Sequence, residues 1–207
     1  MKWQVHNRRP IYQSPWVEVW LEDVEIPGGR RFEHHVLRMR PTVMGIVFDE
    51  SGERVLMLWR HRFITDTWGW ELPAGWIDDG EQPAAAATRE VEEETGWRPQ
   101  PMREIGHWHN LPGISDMSCT LYRADGATYV GDLAEAGEST QIEWVPFADL
   151  RRRIDDDQIT DGDTLIALAF AGTIRPAEDL ARGRGAAALP APDGLQGRSA
   201  VDTVDGA

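Results

Sequence analysis

The stretch from Gly75 to Gly96 constrains this chain more than any other. It runs Gly75-Trp76-Ile77-Asp78-Asp79-Gly80-Glu81-Gln82-Pro83, four alanines, then Thr88-Arg89-Glu90-Val91-Glu92-Glu93-Glu94-Thr95-Gly96. Asp78, Asp79 and Gly80 predict a turn, because Asp and Gly supply the backbone angles a turn needs. From about Gln82 the residues favour a helix: Pro83 suits the first turn, and alanine has the highest helix propensity. Gly96 predicts the end of that helix as its C-terminal cap. Ala84, Ala87, Val91 and Thr95 recur at three- and four-residue spacing and predict its buried face. Glu90 lies one turn from both Glu93 and Glu94, so three carboxylates crowd one side.

A Glu-rich helix is ordinarily a solvated face. Here like charges one turn apart cost about 0.2–0.5 kcal/mol per pair, and no lysine follows within a turn. The cluster also sits toward the helix C-terminus, where the macrodipole disfavours negative charge. A helix carrying both penalties implies a bound cation. Donors that are all oxygen select a hard ion, Mg2+ or alternatively Mn2+, rather than zinc.

The segment fits the pattern G-x5-E-x7-R-E-U-x-E-E-x-G-U, with U apolar, from Gly75 through Glu81, Arg89, Glu90, Val91, Glu93, Glu94 and Gly96 to Trp97. In this it resembles the Nudix hydrolases. The resemblance implies hydrolysis of a nucleoside diphosphate linked to another group, with divalent cations held by the box. It makes Glu90 and Glu94 the principal metal ligands, with Glu93 beside them and the Ala74 carbonyl as a further ligand. It counts Arg89 in the catalytic apparatus, paired with Glu81 to pin the loop onto the helix. Cations so placed neutralise the diphosphate, orient water in line and stabilise developing charge.

Outside the box, Pro112 falls 15 positions after Trp97 (112 − 97), in Leu111-Pro112-Gly113-Ile114-Ser115-Asp116. This spacing is similar to the ADP-ribose pyrophosphatase branch, although a loop proline before a strand is equally ordinary. Leu58-Trp59-Arg60-His61-Arg62 ahead of Trp70-Glu71-Leu72-Pro73-Ala74-Gly75 resembles the same branch, as does the 159–168 segment. On that resemblance Arg62 approaches the substrate phosphates and Pro112 lines the substrate site. Arg31 and Glu33, in an N-terminal β segment often exchanged between subunits, reach a neighbour's site in a homodimer. Arg60 stands where relatives usually have Gln, and Met117 where they have Glu. The general base is expected in the 132–140 loop, where register favours Glu138 over Glu135. The expected reaction takes ADP-ribose to AMP and ribose 5-phosphate. GDP-mannose, NADH or FAD are rival substrates, and a module that binds ADP-ribose without cleaving it is the rival of another class. The complete box and the acidic balance argue against that module.

The expected fold class is α/β: a mixed β-sheet sandwiched between helices, with an N-terminal antiparallel β segment. The organisation expected is an N-terminal β segment at 1–40, a catalytic domain at 41–173 and a disordered tail at 174–207, where large apolar residues are few. Strands are expected at 16–21, 32–37, 102–110, 119–124 and 142–147, and a hairpin from 42–48 and 54–59. Helices are expected at about 148–155 and 162–172. The formal net charge of −14 argues against nucleic-acid and membrane partners, and the resemblance implies a small-molecule nucleotide as the substrate. Cys119, alone in the chain, predicts core packing rather than a disulfide. The absence of a leader pattern after Met1 makes cytoplasmic residence the expectation. Of the ten tryptophans, Trp16, Trp20, Trp68, Trp70, Trp76 and Trp108 are each candidates for core packing or for stacking on a base. The histidines have no zinc-ligand spacing.

Overall fold

The structure, a computed structural model, describes residues 2–131 and 141–173. Three strands open the chain: β1 (Gln4–Gln13), β2 (Val17–Glu25) and β3 (Arg31–Met39), antiparallel and in that order. The central region follows with β4 (Thr42–Phe48), β5 (Arg54–Arg62), β6 (Thr67–Glu71), β7 (Ala74–Trp76) and helix α1 (Pro83–Thr95). Next come β8 (Trp97–Pro99), β9 (Arg103–His109), β10 (Ser118–Asp125), β11 (Ala127–Tyr129) and β12 (Gln141–Pro146). A 3-10 turn (Phe147–Asp149) leads into α2 (Leu150–Asp155) and then α3 (Gly162–Thr173).

The main sheet has seven strands, ordered β12-β5-β4-β10-β9, with β6 on β5 and β7 on β4. It is mixed, because β10 runs parallel to β4 from Cys119↔Thr42 to Asp125↔Phe48 while its other pairings are antiparallel. Strand β4 is buried on both faces, and its alternate residues serve two layers. Met44, Ile46 and Phe48 join Met57, Leu121, Val145, Leu150 and Leu168 in one core. Val43 packs with Ala86 and Ala87, and Val47 with Val91. The sheet is thus sandwiched between α1 on one side and α2 and α3 on the other. Each fully buried Val, Leu or Ile contributes about 1.5–3 kcal/mol of hydrophobic free energy. Cys119 belongs to the first core, and burial pushes its thiol up to about 12. Trp70 is buried in the same core, with Trp108 packed against it.

The expected 42–48/54–59 hairpin exists only at its base, Phe48↔Val55. Beyond it, β6 takes the edge of β5 from Leu58 to Arg62, and β7 takes the edge of β4 from Thr42 to Met44. The split between β4 and β5 admits the 72–75 chain, held where Gly45 N–H donates to the Pro73 carbonyl at 2.9 Å. Strand β1 lies within the expected 1–40 β segment but outside the two strands expected there: all ten of its residues are exposed, so no apolar alternation marks it. On α1 the buried row takes in Ala86 and Glu94, whereas Ala84 is exposed. The 174–207 segment lies outside the described residues. No helix among the described residues is long and apolar enough to cross a membrane.

Candidate active site

Helix α1 starts and stops where its residues dictate. Gln82 stays extended, Pro83 enters the first turn, and Gly96 closes the helix at φ 72, its N–H donating to the Glu92 carbonyl. Only glycine takes that φ without strain. A Cβ on residue 96 would also lie 2.2 Å from the Gly131 carbonyl oxygen. At the other end of the loop, a Cβ on Gly75 would fall 2.1 Å from the Glu90 carboxyl carbon. The bare backbone of Gly75 is therefore the seat of the Glu90 side chain.

Arg89 organises the loop. Its Nε and Nη2 donate to the two Glu81 oxygens at 3.0 and 2.9 Å, and Nη2 also reaches the Trp76 carbonyl at 3.1 Å. Nη1 donates to Glu90 Oε1 at 2.8 Å and Glu93 Oε2 at 2.9 Å, so one nitrogen gathers two carboxylates. These bonds hold the guanidinium still more firmly protonated, and Arg89 keeps the Glu81 carboxyl below its usual range. The third carboxylate has its own arginine. Glu94 Oε1 accepts from Arg60 Nη2 at 2.5 Å and Oε2 from the Ala74 N–H at 3.0 Å. Burial pushes the Glu94 carboxyl up to about 7, although Arg60 beside it pulls the other way.

The charges on the helix are less exposed to one another than its sequence alone implies. The three glutamates are not unrelieved, because Arg89 bonds Glu90 and Glu93 and Arg60 reaches Glu94 from strand β5. Arg60 stands 34 positions from Glu94, so no local pattern reveals the pair. Among the described residues no three Asp, Glu, His or Cys side chains already surround a common metal position. The donors nonetheless fit a hard divalent ion: all are oxygens, two are gathered on one nitrogen, and four carboxylates, Glu81 included, face only two arginines.

Arg62 clasps Glu71 through three hydrogen bonds between 2.5 and 3.1 Å, its own side chain half-exposed. Beside it lies a cleft of 840 Å3 lined by Arg60, Arg62, Phe63, Ile64, Trp68 and Asp161 among others. Phe63 and Ile64 are both largely exposed at this cleft. Of the six candidate tryptophans only Trp68 lines it, half-exposed, stacked with Trp59 at 6.3 Å and tilted against His61 at 5.1 Å.

The remaining candidates stand elsewhere. Pro112 is exposed in the β9–β10 loop, which is sewn to β3. Leu37 N–H donates to the Ile114 carbonyl at 2.8 Å, Arg38 pairs with Asp116 at 2.8 Å, and the His34 ring meets the Gly113 carbonyl at 2.9 Å. Within the N-terminal sheet Arg31 pairs with Asp23, and Glu33 with Arg9 at 3.0 Å. Glu135 and Glu138 lie outside the described residues.

A family model described as the NUDIX domain matches residues 38–165. A CMP-5'-(N-acetyl-N-hydroxy-3-aminopropyl)phosphonate hydrolase of Streptomyces rubellomurinus is 39% identical over 173 residues, 83% of this chain and 84% of the relative. An ADP-ribose pyrophosphatase of Bacillus subtilis is 24% identical over 165 residues, 79% and 89% of the two chains. A crystal structure of an ADP compounds hydrolase superposes with a TM-score of 0.75 over 89% of this chain and 98% of that one, at 19% identity, which speaks for the fold alone. The match to the family model spans more than half of the 207 residues and includes the whole loop and helix around Arg89. The chain belongs to the NUDIX family of hydrolases.

Proposed function

We propose that this protein hydrolyses the anhydride between a nucleoside 5'-phosphate and a second phosphoryl group, with ADP-ribose as the lead substrate and AMP and ribose 5-phosphate as products. The observation that carries the reading is the cluster of Glu90, Glu93 and Glu94 gathered by Arg89 and Arg60, with Arg60 lining the same cleft as Arg62. In this reading Glu90, Glu93, Glu94 and the Ala74 carbonyl hold Mg2+, with Mn2+ as substitute. The ion supplies charge neutralisation and a polarised water. Arg89 keeps two of the carboxylates aimed together, and Arg62 exchanges Glu71 for the substrate phosphates. Glu138 is the proposed base. Pro112, with Arg31 and Glu33 from the second subunit of a homodimer, completes the substrate site, and the setting is cytoplasmic.

One observation favours a second reading. The relative that acts on a CMP-linked phosphonate is 39% identical, against 24% for the Bacillus ADP-ribose pyrophosphatase. A cytidine nucleotide joined to a phosphonate is therefore the second substrate class. The test is product analysis with Mg2+ on ADP-ribose, a CMP-linked phosphonate, GDP-mannose, NADH and FAD, comparing wild type with Glu94→Gln. AMP release from ADP-ribose that collapses in the variant supports the first reading. CMP release with ADP-ribose left intact moves the substrate to the second. Binding of ADP-ribose without cleavage of any compound sinks the enzymatic reading in favour of a sensor.

A further inference from the structure

Arg60 and Glu94 form the most buried ion pair among the described residues, with side chains 5% and 4% exposed. Both oxygens of Glu94 are engaged, Oε1 by Arg60 and Oε2 by the Ala74 N–H. A divalent ion that takes Glu94 as a ligand therefore meets a fixed positive charge 2.5 Å from Oε1. Either the ion binds weakly or the guanidinium moves.

The two arginines of the site differ in their freedom to move. Arg89 is tied to Glu81, to the Trp76 carbonyl and to two box carboxylates. Arg60 has Glu94 as its ion-pair partner, and its buried Nε has no hydrogen-bond partner among the described residues. A buried donor left unmet favours any arrangement that supplies an acceptor. Arg60 also lines the 840 Å3 cleft beside Arg62, so an anion there lies within the reach of both. Guanidinium groups suit phosphoryl oxygens in charge and in planar geometry.

We propose that Arg60 is a resident counter-cation of Glu94 that yields the carboxylate to a divalent ion when a phosphoryl group in the cleft accepts its guanidinium, so that ion and nucleotide bind cooperatively. The proposal rests on Glu94 being a metal ligand. By linkage the nucleotide then raises the ion's affinity by the same factor that the ion raises the nucleotide's.

The test is Mn2+ binding to the full chain, read from the loss of the free-ion EPR signal beyond that caused by the analogue alone, with and without α,β-methylene-ADP as a non-hydrolysable diphosphate. Wild type is expected to bind Mn2+ about tenfold or more tightly once the analogue is present, a typical coupling for linked sites. Arg60→Gln is expected to bind Mn2+ about as tightly without the analogue as wild type does with it, and to lose most of the coupling. Arg60→Met, which keeps the apolar volume of the stem, carries the same expectation if the glutamine variant does not fold. Equal Mn2+ affinity of wild type and both variants without analogue overturns the proposal. Glu94→Gln separates the two layers. If it weakens Mn2+ binding while the Arg60 variants change nothing, only the coupling falls. If it leaves Mn2+ binding unchanged, the ligand role of Glu94 falls and the proposal with it.

Discussion

The loop and helix at 75–96 and the sheet at 4–39 belong to one chain but obey different rules. In the first, the glutamates around Arg89 and Arg60 have close partners and the backbone leaves no room at two glycines. Glu81, Glu90, Glu93 and Glu94 are each bonded to Arg89 or Arg60, and Gly75 and Gly96 sit where a methyl group would collide. In the second, the ion pairs Arg9–Glu33 and Arg31–Asp23 face water, and of its strand residues only Glu22 and Val24 are buried. The difference teaches where a substitution will be felt. Close packing around buried charge transmits a one-atom change, whereas an exposed pair is screened and replaced by water.

The largest expected effect is at Gly75. An alanine there puts its methyl 2.1 Å from the Glu90 carboxyl carbon, so the carboxylate must move. With Glu90 a metal ligand as proposed, displacing it by about an ångström costs on the order of 10²-fold in rate, and we expect a fall of that size in kcat with the far-UV CD spectrum unchanged. Retained activity would show that Glu90 is free to shift, and the contrast with the outer sheet would lose its best example. Arg89→Met comes next. It leaves Glu81, Glu90 and Glu93 without their common cation, and urea unfolding is expected to register a loss of about 2–3 kcal/mol in metal-free protein. A smaller loss would mean that the like charges separate easily into solvent.

Cys119 extends the comparison to the sheet core. Burial raises its thiol to about 12, well above the unfolded value near 8.5. A raised acid favours the folded state fully below the unfolded pKa, and that contribution is lost as pH rises through the folded one. Stability is therefore expected to be insensitive to this group at pH 8 and to decline between about 9 and 12. Iodoacetamide at pH 8 should label the thiol in urea but not in buffer; fast labelling of folded protein would show that the core opens.

The same contrast governs what the sequence makes legible. The α1 boundaries and the Gly96 cap follow from local periodicity and from residues with few backbone options. The Arg60–Glu94 pair does not, because its partners meet only through the split between β4 and β5, where β6 and β7 take the free edges. Ala84 departs from the expected buried face for a related reason. A 3.6-residue stripe gives a direction but not the point where the sheet beneath it ends, and the row that is buried runs through Ala86. Strand β1 escaped notice because a strand exposed on both faces carries no alternation to read. Its pairing to β2 is a property of backbone hydrogen bonds, which any sequence offers.

The smallest stability effect is expected at Glu33, and there the comparison is sharpest. Glu33 and Arg9 are each 56% exposed at 3.0 Å, and exposed pairs of this kind contribute about 0–1 kcal/mol. Glu33→Ala should therefore leave the urea midpoint nearly unchanged. If the outer sheet serves only as a covering, kcat/KM stays with it. If Glu33 reaches the site of a second subunit, kcat/KM falls while stability holds, and the fall persists at concentrations where sedimentation shows a dimer. The first outcome confines catalysis to the packed loop and helix. The second makes the exposed sheet functional for the same reason that it is exposed: its charges are left uncovered within the chain that carries them.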